Sequence, residues 1–214
     1  MHKLPRVNNN LIIENQYFPV VNWFKYSFSE KHIKILASEV YQKMSFRNRT
    51  VICGSNGLIH LSVPLEQGRN QKVVFKDVHV CYREQWQLNH WRSIFTCYGK
   101  SPFFDYYRAD LEKLFSLKQK FLFDLDIAII EWLKKVLHFT AEIAVVEDAG
   151  NSIAAEAGED ARNKWLPKNF QQGNSFIVYP QVFEDRIGFQ PNVSILDILF
   201  NMGPAASTLI ENAV

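Results

Sequence analysis

The chain has 214 residues, of which 47% are hydrophobic, 14% aromatic and 21% charged. That composition supports a globular core without disulfides or a structural metal, and no apolar run approaches the ~18–20 residues of a membrane-spanning helix. Its 24 basic and 22 acidic residues leave a formal charge of +2, too little for a dedicated nucleic-acid binder, which draws much of its affinity from phosphate neutralisation.

The opening Met-His-Lys-Leu-Pro-Arg has no apolar core of a secretory signal. Cys53, Cys81 and Cys97 are an odd set without CxxC spacing, which argues against a disulfide framework or a zinc site. The expected setting is a reducing, cytoplasmic one. Residues 11–18 read as a strand closed by Pro19, and the aromatic-rich segment Val20–Phe28 fits a helix. Lys31–Ser38 reads as a second strand. Residues 50–64 carry a β-hairpin signal, with Asn56-Gly57 as a type I′ turn that places Cys53 opposite His60. A further strand is expected over 72–81.

Helices follow. Trp86, His90, Ile94 and Tyr98 recur at i, i+4 spacing up to Gly99, and Phe104–Leu117 and Phe121–Leu137 are amphipathic. Ala141–Val146 reads as a strand, and residues 147–175 as a polar loop or lid. Ser175–Tyr179 and Gln181–Phe183 look extended. Ser194-Ile-Leu-Asp197 opens a helix as a capping-box variant, stopped at Gly203-Pro204. The whole chain, 1–214, reads as one α/β domain with a small mixed or parallel sheet, a hairpin at 50–64 and a helical middle; α+β is the alternative.

His90, inside an aromatic stripe, is the candidate general base, with Lys100 and Ser101 at the end of the same helix. Gln16 and Tyr17 end the first strand, and Lys43, Asn48 and Arg49 precede the hairpin. At the carboxyl ends of parallel strands these residues would suit a hydroxyl-rich or phosphorylated ligand, with Tyr17, Trp23 and Phe46 available for stacking. Cys53 and His60 are a weaker candidate pair for covalent chemistry. Asp124/Asp126 and Glu159/Asp160 read as charged surface. GxGxxG, P-loop and GxSxG signatures are absent, and no cofactor is indicated.

Taken in order, Gln16-Tyr17-Phe18-Pro19 with Trp23-Phe24, Tyr41-Gln42-Lys43 with Asn48-Arg49, Asn56-Gly57 with Val63-Pro64, Trp86, His90 and Tyr98 with Lys100-Ser101-Pro102, Tyr179, Gln181-Val182-Phe183, Pro191-Asn192 and Ser194-Ile195-Leu196-Asp197 resemble the WbqC-like protein family in its Bacteroidetes form. Many members carry an acidic pair where this chain has Ser38-Glu39. The resemblance implies a role in surface-polysaccharide or O-antigen biosynthesis, with transfer of an acyl or glycyl-type aminoacyl group to an amino sugar, itself nucleotide-activated. The implied partners are that sugar and an acyl donor. The alternative is a non-catalytic sugar- or protein-binding scaffold of a glycan-assembly complex.

Overall fold

Two short parallel strands joined by a helix begin the structure. The computed structural model describes residues 10–68, 72–147 and 158–213. β1 (Asn10–Ile12) pairs with β2 (His32–Leu36) through α1 (Val21–Ser27). β1 is shorter than the strand expected over 11–18. From Glu14 onward the polar side chains turn inward, and side-chain bonds replace ladder bonds: the Trp23 indole donates to the Glu14 carbonyl at 2.8 Å, and the Gln16 amide donates to the Glu14 carboxylate at 2.9 Å.

β5 (Glu142–Val146) and β6 (Glu159–Asp160) complete a parallel sheet of order β5-β2-β1-β6. Strand order reverses at β1, so the loops after β1 and β6 leave the same sheet edge side by side. Open parallel sheets bind ligands at such a switch point.

The hairpin, β3 (Arg49–Gly54) and β4 (Gly57–Ser62), forms a separate antiparallel sheet. Its register differs from the expected one by a residue. Ser55 and Asn56 form the loop, Gly54 faces Gly57, Cys53 faces Leu58, and His60 faces Val51. A type I′ turn over Asn56-Gly57 needs positive φ at both residues; Gly57 takes φ 129° while Asn56 stays out of that region. The one-residue change separates Cys53 from His60 and removes the proposed pair. The strand expected over 72–81 is also absent. Phe75–Asp77 form a 3-10 turn, and isolated bridges tie Val74 to Val40, Val80 to Leu65 and His79 to Phe121. Phe75, Val78 and Val80 are buried without a period of two, and the backbone partners of this segment lie on several different segments.

α2 (Trp86–Tyr98), α3 (Phe104–Ser116) and α4 (Leu122–Val136) match their expected spans closely. Ser175–Phe183 forms no strand; α5 (Glu184–Ile187), α6 (Ile195–Met202) and α7 (Ala205–Asn212) end the chain. The Ser194 hydroxyl caps α6 by accepting from the Leu196 amide. Within the stretch expected as a loop or lid, residues 148–157 lie outside the described residues; beyond them, β6 joins the sheet and Trp165 and Phe170 are buried in the core.

A buried polar network holds the end of the chain to the hairpin. The Tyr98 hydroxyl donates to Asp197 at 2.7 Å and accepts from the Cys53 amide at 2.9 Å. The Gln181 amide reaches the second Asp197 oxygen at 2.8 Å. α6 stops at Gly203, whose φ of 55° is costly for any residue with a Cβ, and a Cβ there would lie 2.3 Å from the Phe103 ring. Gly203→Ala should therefore lower unfolding stability in urea by about 2 kcal/mol or more. A loss below about 0.5 kcal/mol would contradict this account of the α6 stop.

Candidate functional site

The loop after β1 is strained and tightly held. Phe18 adopts φ 45°, an outlier for a bulky residue and more so before a proline. Its carbonyl accepts from the Thr50 hydroxyl at 2.8 Å and the Ser194 hydroxyl at 3.3 Å. The Gln16 side-chain oxygen accepts from the Val20 amide at 3.3 Å. Across the switch point, Asn163 in the loop after β6 also has positive φ, 59°. Backbone strain of this kind concentrates at functional sites, where surrounding bonds can hold it.

Arg47 joins these loops. Its side chain is 1% exposed and makes an ion pair with Glu39, in the loop after β2. Nε donates to Glu39 at 3.0 Å and Nη1 donates to the Asn163 side-chain oxygen at 2.8 Å. The guanidinium lies over the Phe75 ring at 5.6 Å. Glu14 accepts from the Asn163 amide at 2.8 Å, and burial raises its carboxyl despite the opposing Arg47 charge. Arg162 forms the outer rim, bonded to Asp160 and 3.8 Å from Glu39. Segments following β1, β2 and β6 thus supply one buried polar cluster.

Asp126 closes this cluster from α4. It is fully buried, and neither carboxyl oxygen has a hydrogen-bond partner among the described residues. Burial pushes its carboxyl well above the usual carboxylate range, with Arg47 only partly opposing. The Asn15 side-chain oxygen is likewise buried and unpartnered, while its amide reaches the Phe123 carbonyl, one turn before Asp126, at 3.5 Å. Asp126 was expected on charged surface with Asp124. Helical spacing explains the difference: positions 122, 126, 129 and 133 share one α4 face, and that face is the buried one.

The sequence candidates divide into two groups. His90 is buried, its Nδ1 lies 2.9 Å from the Tyr17 hydroxyl, and Trp86 packs on its ring at 5.2 Å. Burial lowers the imidazole to about pH 4, opposed by a backbone bond to Ser62. Gln16, Tyr17, Trp23 and Asn48 are also buried, Asn48 accepting from Tyr41 at 3.0 Å and donating to the Val63 carbonyl at 2.9 Å. Arg49 is half-buried with an unpartnered Nε, whereas Lys43 and Lys100 are exposed. Glu14, Arg47 and Asn163 carry no assignment from sequence, while Asp126 reads there as charged surface and Glu39 enters only through the Ser38-Glu39 pair. The legible signals were Glu14 within an apolar run and Asp126 on the apolar stripe.

Two of the surface depressions lie on other faces. One, about 380 Å³, runs between α2 and α3 past Tyr82, Trp91 and Phe115; the other, about 470 Å³, lies between α1 and residues 164–176. Neither is lined by Gln16, Arg49 or His90. Among the described residues, no three His, Cys, Asp or Glu side chains are grouped to hold a metal ion, and no helix is long and apolar enough to cross a membrane. Cys53 is buried, and burial pushes its thiol well above the ordinary value.

The WbqC-like protein family model matches residues 15–165, more than half of the chain, so the chain belongs to that family. The matched region includes the loop after β1, Arg47, Asp126 and the loop after β6 through Trp165. No curated protein and no solved structure matches the chain.

The His90 environment has a measurable consequence. Folded protein keeps this imidazole neutral down to about pH 4, whereas an unfolded chain protonates it below about 6.5. Its stabilising contribution is therefore complete above pH 6.5 and is lost as pH falls towards 4. The stability difference between wild type and His90→Gln should grow by about 3 kcal/mol from pH 4 to pH 7 in urea titrations. A difference that stays constant with pH would refute the buried neutral imidazole.

Proposed function

We propose that this WbqC-like protein is a transferase of surface-polysaccharide biosynthesis that moves an acyl or aminoacyl group onto an amino sugar, with the Arg47–Asp126 cluster as its reaction centre. The observation that carries this reading is Asp126. A buried carboxyl without a hydrogen-bond partner costs several kcal/mol when ionised, so it stays protonated. A neutral carboxylic acid can donate a hydrogen bond to a carbonyl oxygen as negative charge develops there, which is what acyl transfer requires.

The remaining groups suit the same step. Substrate approaches from the Glu39–Arg162 side, where side-chain exposures are 12% and 27%. Arg162 orients polar oxygens there. As the amine nitrogen bonds to the donor's acyl carbon, the bond from that carbon to the donor's leaving group breaks. Glu39 takes the amine proton and passes it to the departing group. Arg47 and Asn163 hold the loops in register. Tyr17 and His90 lie behind this centre; a ring neutral down to about pH 4 positions the Tyr17 hydroxyl rather than serving as the base. Gln16 fixes Glu14, and Trp23 supports its backbone.

The burial of Gln16 and His90 away from either depression favours a second reading, the non-catalytic scaffold. One variant separates the two. Asp126→Leu removes an unsatisfied group and should raise unfolding stability by about 1–3 kcal/mol. It should also reduce N-acylated product, followed by mass spectrometry with nucleotide-linked amino sugars and a panel of acyl and aminoacyl donors, by about 10²-fold or more. Wild-type product formation by this variant would remove Asp126 from the chemistry. No product from wild-type protein with any donor would favour the scaffold.

A further inference from the structure

The hairpin leaves the outer edge of β4 open. The Val51 carbonyl accepts from the Ser194 amide at 2.8 Å, and the Cys53 amide donates to the Tyr98 hydroxyl at 2.9 Å. Both residues therefore turn their backbone groups away from β4. The alternation of an antiparallel ladder then assigns its bonds to Thr50–Leu61, Ile52–Ile59 and Gly54–Gly57. Leu58, His60 and Ser62 direct their amides and carbonyls outward. The His90 imidazole takes the Ser62 carbonyl. The backbone groups of Leu58 and His60 have no partner among the described residues.

Exposed strand edges in folded proteins are commonly guarded by lysine, proline or a bulge. β4 carries neither residue, and its pairing with β3 is one-to-one throughout. Ile59 is 36% exposed on this strand, and His60 is exposed as well. Such an edge is a template for a further strand, with main-chain bonds giving affinity and alternate side chains giving selection.

Arg49 adds a charge beside the edge. It faces Ser62 and lies diagonal to His60 on the same face of the hairpin. Burial, and then the Arg49 charge, lower the His60 imidazole, which places the guanidinium towards β4. Arg47 is compensated by Glu39, whereas Arg49 has no carboxylate partner among the described residues and its Nε is buried without a hydrogen bond. A guanidinium in that state suits an incoming carboxylate, which it can hold through two N–H groups.

We infer that the β4 edge takes an extended segment of a partner protein, added as a strand along Leu58–His60 with an acidic side chain facing Arg49. Residues flanking that acid would lie on the Ile59 side, where apolar groups fit. A second copy of this chain lacks the required charge, because β4 has no carboxylate to offer. The edge is distinct from the Arg47–Asp126 cluster, and the assignment stands whether or not that cluster is catalytic.

Amide NMR titration of the full chain with the peptide acetyl-Thr-Val-Glu-Val-Thr-amide tests the assignment. The Leu58 and His60 amides should shift on binding. Exchanging the central Glu for Lys should weaken binding about tenfold or more. N-methylating the central Glu removes one ladder bond and keeps the charge, and should weaken it about threefold or more. Arg49→Gln should bind the Glu and Lys peptides alike. Absent binding would overturn the site, as would equal affinity for the Lys peptide, indifference to N-methylation, or a folded Arg49→Gln protein that still prefers Glu. A wild-type dimer in sedimentation that Ile59→Lys dissociates would give the edge to a second copy and overturn it too. The peptide series on the wild-type chain decides the matter even where Arg49→Gln does not fold.

Discussion

A guanidinium that cannot be neutralised sits in the interior, and much of the architecture follows from that constraint. Arg47 stays charged at any physiological pH, so burying it requires compensating charge and acceptors. Glu39 and Asn163 supply them from the loops after β2 and β6, and the Phe75 ring covers the guanidinium. Asn163 in turn donates its amide to Glu14 after β1. Three segments distant in sequence are thereby fixed at the carboxyl edge of one parallel sheet. Removing Arg47 would leave Glu39 and the Asn163 side-chain oxygen without this partner, so the loops could not keep their present arrangement.

Two buried aspartates show how structural and reactive polarity can be told apart here. Asp197 is as buried as Asp126, yet Tyr98 and Gln181 satisfy its oxygens, and the network fastens α6 to the hairpin. Its chemistry is spent on the fold. Asp126 has no such partners among the described residues and lies beside the Arg47 charge. Natural interiors rarely retain an unsatisfied carboxyl without a use for it. The strained Phe18 backbone beside the cluster agrees with that assignment.

Periodicity made the elements legible, and polarity within them was harder to read. The α2, α3 and α4 spans and the β1–α1–β2 opening follow from apolar spacing, and Ser194 and Gly203 mark the ends of α6. The hairpin was legible but its register was not, because the choice between Asn56-Gly57 and Ser55-Asn56 as the loop rests on a single φ angle. In Arg47-Asn48-Arg49 two arginines compete, and only the 3-10 turn over Phe46–Asn48 sends the first inward. Glu39 and Asn163 become partners only through tertiary folding. Asp126 differs: its place on the α4 stripe is visible in the sequence, but an acidic residue is ordinarily solvated, which points to the surface.

The central claim is that Asp126 is a protonated acid held ready inside the fold. A carboxyl carbon NMR titration of the native protein, with the Asp126 resonance identified by its loss in Asp126→Asn, measures this directly. The account predicts a resonance that still holds its protonated position at pH values where exposed carboxylates have already ionised. A resonance that titrates with those exposed groups would show Asp126 ionised in the folded protein and contradict the account.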